Sequence, residues 1–172
     1  AAAGRSERYG VEYERCGVTE VFLFTEPLGN WRRTAATEHR TRVDWAWQIR
    51  HLLDVDFPEA EVVVLVMDKL NTHSLVSLYE AFEPALARRL AQRLEIHHTP
   101  KHGSWLNVAE CELSVLSRQC LHNRTGTIEA LRHKVAAWQR ERNERQCGTD
   151  WYFTTDDARI RLKRLYPQYQ AA

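Results

Sequence analysis

Apolar and polar positions divide the chain into short blocks whose spacing alternates between that of strands and that of helices. Val18 to Phe24 is β-branched and aromatic, the composition of a partly buried strand. Pro27, Gly29 and Asn30 then supply turn chemistry, and Trp31 to Thr37 is expected to return as the antiparallel partner of a hairpin. From Thr41 to Leu53 the apolar residues Val43, Trp45, Ala46, Ile49, Leu52 and Leu53 recur near helical spacing, and Pro58 closes the block. Val62 to Met67 is apolar at consecutive positions, which predicts a central strand covered on both faces.

Helical spacing resumes from Ser74 to Phe82, breaks at Glu83-Pro84 and continues through Ala85 to Leu94, with Pro84 suited to a first helical position. Leu94 to His98 is expected as a short strand. Asn107 is placed to cap a helix running to about Leu121. Thr127 starts an amphipathic one bearing Ile128, Leu131, Val135 and Trp138, and Asp156 opens a last, basic one. A hairpin, then helix, strand, helix, strand and trailing helices predict an α/β architecture, a mixed sheet with helices on its faces.

Composition narrows this picture. A length of 172 residues, 44% hydrophobic and 27% charged, predicts a single globular domain. The 24 Lys and Arg against 23 Asp and Glu leave a net charge of +1, so any affinity for nucleic acid has to come from local patches. Arg159, Arg161, Lys163 and Arg164 form one such patch, although a solvated helix face is the commoner meaning of such a run. The longest apolar run, Val62 to Met67, is far short of the ~20 residues of a membrane helix, so no membrane partner is expected. Cys16, Cys111, Cys120 and Cys147 form no Cys-x-x-Cys pair and follow no apolar signal segment, which suggests a reducing cytoplasm. Among the tryptophans, Trp45, Trp47 and Trp138 have spacing suited to a core, whereas Trp105 sits in a turn and suits a surface role.

Two segments carry candidate chemistry. Asp68 ends the Val62 to Met67 run, where the carboxyl ends of strands in α/β sheets face ligand crevices, although an acid capping the following turn explains it about as well. Glu110 begins the helix after Asn107, where Asn107-Val108-Ala109-Glu110 also fits a simple capping box. Glu112 is a rival: two positions on, it points about 200° round the helix, so both cannot serve one site, and periodicity alone does not choose. His97, His98 and His102 are a weaker zinc candidate, because a Pro- and Gly-containing loop separates the last two and no Cys pair accompanies them. Asn71 and His73 are plausible supporting or DNA-contacting groups, though Asn-Thr-His is also an ordinary helix start.

Asp68-Lys69-Leu70-Asn71-Thr72-His73, together with Thr99-Pro100-Lys101-His102-Gly103-Ser104-Trp105-Leu106-Asn107 and Glu110, resembles the catalytic domain of mariner-type bacterial insertion-sequence transposases of the DDE endonuclease superfamily. The likeness continues through Leu113 to Cys120 and from Asp150-Trp151 to Tyr166-Pro167. It implies an RNase H-like fold and a three-acid site that holds two divalent ions, Mg²⁺ or Mn²⁺, for cutting and joining DNA. On that resemblance Asp68 is the second acid and Glu110 the third, because the family's Leu-Asn-x-x-Glu element falls on Leu106, Asn107 and Glu110. Hard divalent ions prefer such oxygen ligands, and a pair of them can assist both attack and departure at phosphorus.

The resemblance further implies DNA partners, both transposon ends and target, and self-association. Lys69, Asn71, His73, Lys101, His102, Trp105 and Asn107, with the basic Arg159, Arg161, Lys163 and Arg164, are the DNA-contact candidates. Two departures are visible. The first acid of such enzymes lies on a strand before the hairpin, which is expected upstream of Ala1, since Asp44, Asp54 and Asp56 fall on or just beyond a helix; residues 1–172 then form the larger, C-terminal part of the catalytic domain. Lys69 stands where relatives carry Asn. A DNA-binding or dimerisation remnant without catalysis is the alternative reading.

Overall fold

A computed structural model describes residues 17–68, 70–99, 108–148, 152 and 154–161, without the side chains of 155, 158 and 161. Strand β1, Glu20–Glu26, pairs antiparallel with β2, Trp31–Thr37, in the register Glu20↔Thr37 to Glu26↔Trp31. Asn30 closes the turn with φ of 53°, a left-handed conformation that Asn tolerates better than most residues. The hairpin is the expected one, with β1 shifted two residues toward the C-terminus.

Alternation along the hairpin sends side chains to two opposite faces, and both are covered. Phe22 and Phe24 join a core with Trp45, Ile49, Leu53, Met67, Leu78 and Leu90, while Val21 and Leu23 pack on a second cluster of Leu116, Cys120, Val135 and Trp138. Neighbouring Arg32 and Arg33 on β2 therefore point to different layers. Each is buried and each meets an acid: Arg33 Nε lies 2.6 Å from Asp56 Oδ2, and Arg32 Nε lies 3.1 Å from Glu112 Oε2. Arg33 also sits over its cross-strand neighbour Phe24, 4.6 Å from the ring centre.

Helix α1, Arg42–His51, starts on a complete capping box in which the Thr41 hydroxyl accepts from the Asp44 amide and the Asp44 carboxylate accepts from the Thr41 amide. The sequence predicts one helix to Leu53, but the ladder widens at Leu52–Asp56 into a π-helical turn, with the Phe57 amide donating to the Leu52 carbonyl. This turn buries Leu52 and Leu53 and presents Asp54 and Asp56 to arginines.

Asp54 accepts both guanidinium nitrogens of Arg89, at 2.8 and 2.9 Å, with Arg50 and Arg93 at 3.6 and 3.7 Å. The hydrogen bonds from Arg89 hold its carboxyl below the usual aspartate range, against the opposing effect of partial burial. A depressed carboxylate stabilises the fold above its unfolded-state pKa, and that contribution disappears as pH falls through the folded-state value. Asp54→Asn is therefore expected to lower stability by about 1 kcal/mol at neutral pH. The gap from wild type should close in urea titrations below about pH 3.9, the ordinary aspartate value.

Strand β3, Val63–Met67, runs parallel to β4, Leu94–His98, from Val63↔Leu94 to Met67↔His98. The crossover between them carries α2, Leu75–Ala81, and α3, Pro84–Gln92, with Pro84 at the first turn as expected. Val63, Leu65, Leu94 and Ile96 pack on the main core, but Val62, Val64 and Val66 are 52–59% exposed. The expectation of a strand covered on both faces is thus corrected. Helices α1 to α3 fill one side, whereas α4 and α5 pack against β1 and β2. Helix α4 spans Val108–Gln119, α5 Ile128–Glu144 with Thr127 as its cap, and α6 Thr155–Arg161. Trp45 and Trp138 are core residues as expected; Trp47 is not, being 49% exposed beside Phe82 and Arg50.

The result is a mixed α/β arrangement of two short sheets with flanking helices. No helix among the described residues is long and apolar enough to cross a membrane. Cys111, Cys120 and Cys147 are free thiols.

Candidate metal and DNA site

Asp68 follows β3 directly, with its side chain about half exposed. The chain after it is tied into the fold by the His73 amide, which donates to the Leu70 carbonyl at 2.9 Å, and by the buried Ser77 hydroxyl, which donates to the Thr72 carbonyl at 2.9 Å. His73 lies flat against Trp45, ring centres 5.8 Å apart and planes 22° apart, and touches Phe22. Its Nδ1 is 3.5 Å from Asp68 Oδ1, yet both ring nitrogens are buried without a well-formed hydrogen bond among the described residues. Burial pushes the His73 pKa down, Asp68 resists that shift, and the positive charge of Arg40 adds to it. The imidazole is accordingly a neutral, stacked support beside the carboxylate.

Beside this loop lies an open depression of about 260 Å³ lined by Arg40, Leu70, Asn71 and Thr72. Asn71 is exposed. Sequence reasoning missed Arg40, which stands in a polar stretch, Glu38-His39-Arg40-Thr41, with no periodicity to single it out.

Glu110 lies in the first turn of α4 and is exposed, with no ion pair among the described residues. Glu112 is its opposite. It is 1% exposed and held by two arginines, Arg32 at 3.1 Å and Arg142 at 3.1 Å, and Arg32 is fixed in turn by Asn143 and the Cys147 carbonyl. Asp54 and Asp56 are likewise bound to arginines, and Asp44 serves its helix cap. Among the acids weighed from sequence, Asp68 and Glu110 remain exposed at the ends of their elements. Carboxylate oxygens suit a hard divalent ion, although no three His, Cys, Asp or Glu side chains converge on one point among the described residues.

His97 is exposed and pairs with Glu95 at 2.7 Å, and His98 is exposed at the end of β4. Lys69, Lys101, His102, Trp105 and Asn107 lie outside the described residues, as do Lys163, Arg164 and the Arg161 side chain. The zinc reading, which needs His102, and the capping-box reading of Glu110, which needs Asn107, fall there too. Arg159 is exposed and pairs with Asp156 at 3.0 Å.

Comparison with protein families finds a match to the model described as DDE superfamily endonuclease over residues 1–132, a span that includes β1 to α4 and both Asp68 and Glu110. Neither the curated proteins nor the solved structures gave a match. With the greater part of its 172 residues covered, the chain belongs to the DDE superfamily of endonucleases.

Proposed function

We propose that this chain is the catalytic region of a mariner-type insertion-sequence transposase, RNase H-like in fold, acting on DNA as its substrate. Asp68 and Glu110 are its second and third metal-binding acids. The observation that carries this reading is the division of labour among the acids: Glu112, Asp54 and Asp56 are bound by arginines, while Asp68 and Glu110 are exposed at the end of β3 and the start of α4. Carboxylate oxygens are the ligands that Mg²⁺ and Mn²⁺ prefer. When bound, such ions stabilise the charge that develops in an in-line displacement at phosphorus, with water as the nucleophile for cleavage or a DNA 3′-hydroxyl for strand transfer.

The residues of this chain supply binding and orientation. Asp68 begins the loop anchored by His73 and Ser77, and the stacked His73 lies 3.5 Å from its carboxylate. A second carboxylate on a helix start is favoured there by the dipole of α4, in whose first turn Glu110 lies. Self-association around DNA ends, and a first acid from a strand before the hairpin, complete the reading by family resemblance.

Calorimetric titration with Mn²⁺ tests it. Wild type is expected to bind weakly, and Asp68→Asn and Glu110→Gln are each expected to lower affinity about 10-fold or more. Isotherms that cannot be told apart would remove the shared site.

A further inference from the structure

We propose that Arg40, with Asn71 and Thr72, forms a subsite for a DNA backbone phosphate beside Asp68. This rests on the nuclease reading above and assigns its substrate a specific contact on the loop between β2 and α1.

Three observations converge on it. Arg40 shares the open depression with Leu70, Asn71 and Thr72, and these last three immediately follow the Asp68-Lys69 pair in sequence. A guanidinium, a carboxamide and a hydroxyl are the donor set that phosphate oxygens accept from, and Arg suits phosphate best because its planar fork offers two parallel donors. Thr72, which lines the depression, has a buried hydroxyl with no hydrogen-bond partner among the described residues. Finally, Arg40 is committed only loosely. Its ion pair, with Glu20, is 3.9 Å long and its side chain is 50% exposed, unlike the buried Arg32 and Arg33 with their close partners.

The geometry also explains how a polyanion could approach a carboxylate site. Asp68 alone repels a phosphodiester, and a cation on the neighbouring loop offsets that repulsion before any metal is considered. Glu20 then competes with the phosphate for Arg40, because a 3.9 Å pair at an exposed site is readily exchanged.

The test is fluorescence anisotropy of the full 172-residue chain with a short labelled DNA duplex, measured across a series of salt concentrations in EDTA. Arg40→Ala should weaken binding several-fold at low salt and reduce the slope of log K against log salt by about 0.9, the value for one lost phosphate contact. Arg40→Lys should restore most of the slope, and Glu20→Gln should tighten binding. Thermal melting checks that each variant is folded. If wild type binds but Arg40→Ala keeps the same affinity and slope, the subsite is wrong while the DNA reading stands. If Glu20→Gln weakens binding as Arg40→Ala does, the pair is structural and the subsite is again wrong. No binding by wild type overturns the DNA reading and the subsite with it.

Discussion

Glu112→Ala is expected to destabilise the protein by about 3–5 kcal/mol, the usual penalty for removing one partner of a buried ion pair. The reason is what remains. Arg32 is 1% exposed and Arg142 mostly buried, so both guanidinium groups would stay in the interior without the carboxylate between them. Asn143 and the Cys147 carbonyl still hold Arg32, but they carry no charge to neutralise it. Glu110→Ala, two positions away, should change stability by no more than about 0.5 kcal/mol, as exposed positions usually do. Urea denaturation of both variants measures the contrast directly. A Glu112 variant of wild-type stability that had also lost Mn²⁺ binding would reverse the assignment of the two glutamates.

Trp45→Ala should cost a similar amount, about 3–5 kcal/mol, because the indole is 2% exposed and sits in the main core. It should also do something that an ordinary core truncation would not. Trp45 is the surface on which His73 stacks, and His73 closes the loop that begins at Asp68. With the ring gone, the His73 amide, which is bonded to the Leu70 carbonyl, should exchange faster with solvent relative to amides elsewhere in the core. Hydrogen exchange resolved by residue separates the two effects. Uniform loss of protection across the whole domain would mean that the stack contributes no local order. Trp45→Phe, which keeps a ring for His73, should retain more of the loop protection than alanine does.

Much of the element order was legible in the sequence because local signals agree with the tertiary structure. Pro84 starts α3, Thr127 caps α5, and β2 and β4 fall on the expected residues. The misreadings concern what lies on top of an element. An apolar run on consecutive positions usually means cover on both sides, yet Val62, Val64 and Val66 face outward because α4 and α5 pack on the hairpin instead. Trp47 has core spacing on α1 but falls on the side that meets Phe82 and Arg50 near the surface.

The site was readable in part. Asp68 at a strand end is a reading of local pattern, whereas the choice of Glu110 over Glu112 rests on family resemblance alone; the burial of Glu112 was not legible, since its arginines come from 80 residues earlier and 30 later (112 − 32 and 142 − 112). One clue was present. In Trp31-Arg32-Arg33-Thr34 a two-residue period must send one arginine to each face, so a hairpin buried on both sides needs an acid in each layer. Arg40 gave no such clue, because its relation to Asn71 and Thr72 exists only after α1 and the crossover have folded.

Arg32 also sets where this domain can be cut. The match to the family model ends at residue 132, within α5, but the groups that hold Arg32 include Asn143 and the Cys147 carbonyl, and Glu112 leans on Arg142. A polypeptide ending at residue 132 would carry the whole of the matched family region and still lack groups that hold an interior cation. The boundary of similarity and the boundary of autonomous folding are therefore different places in this chain, and the second lies at least fifteen residues beyond the first (147 − 132).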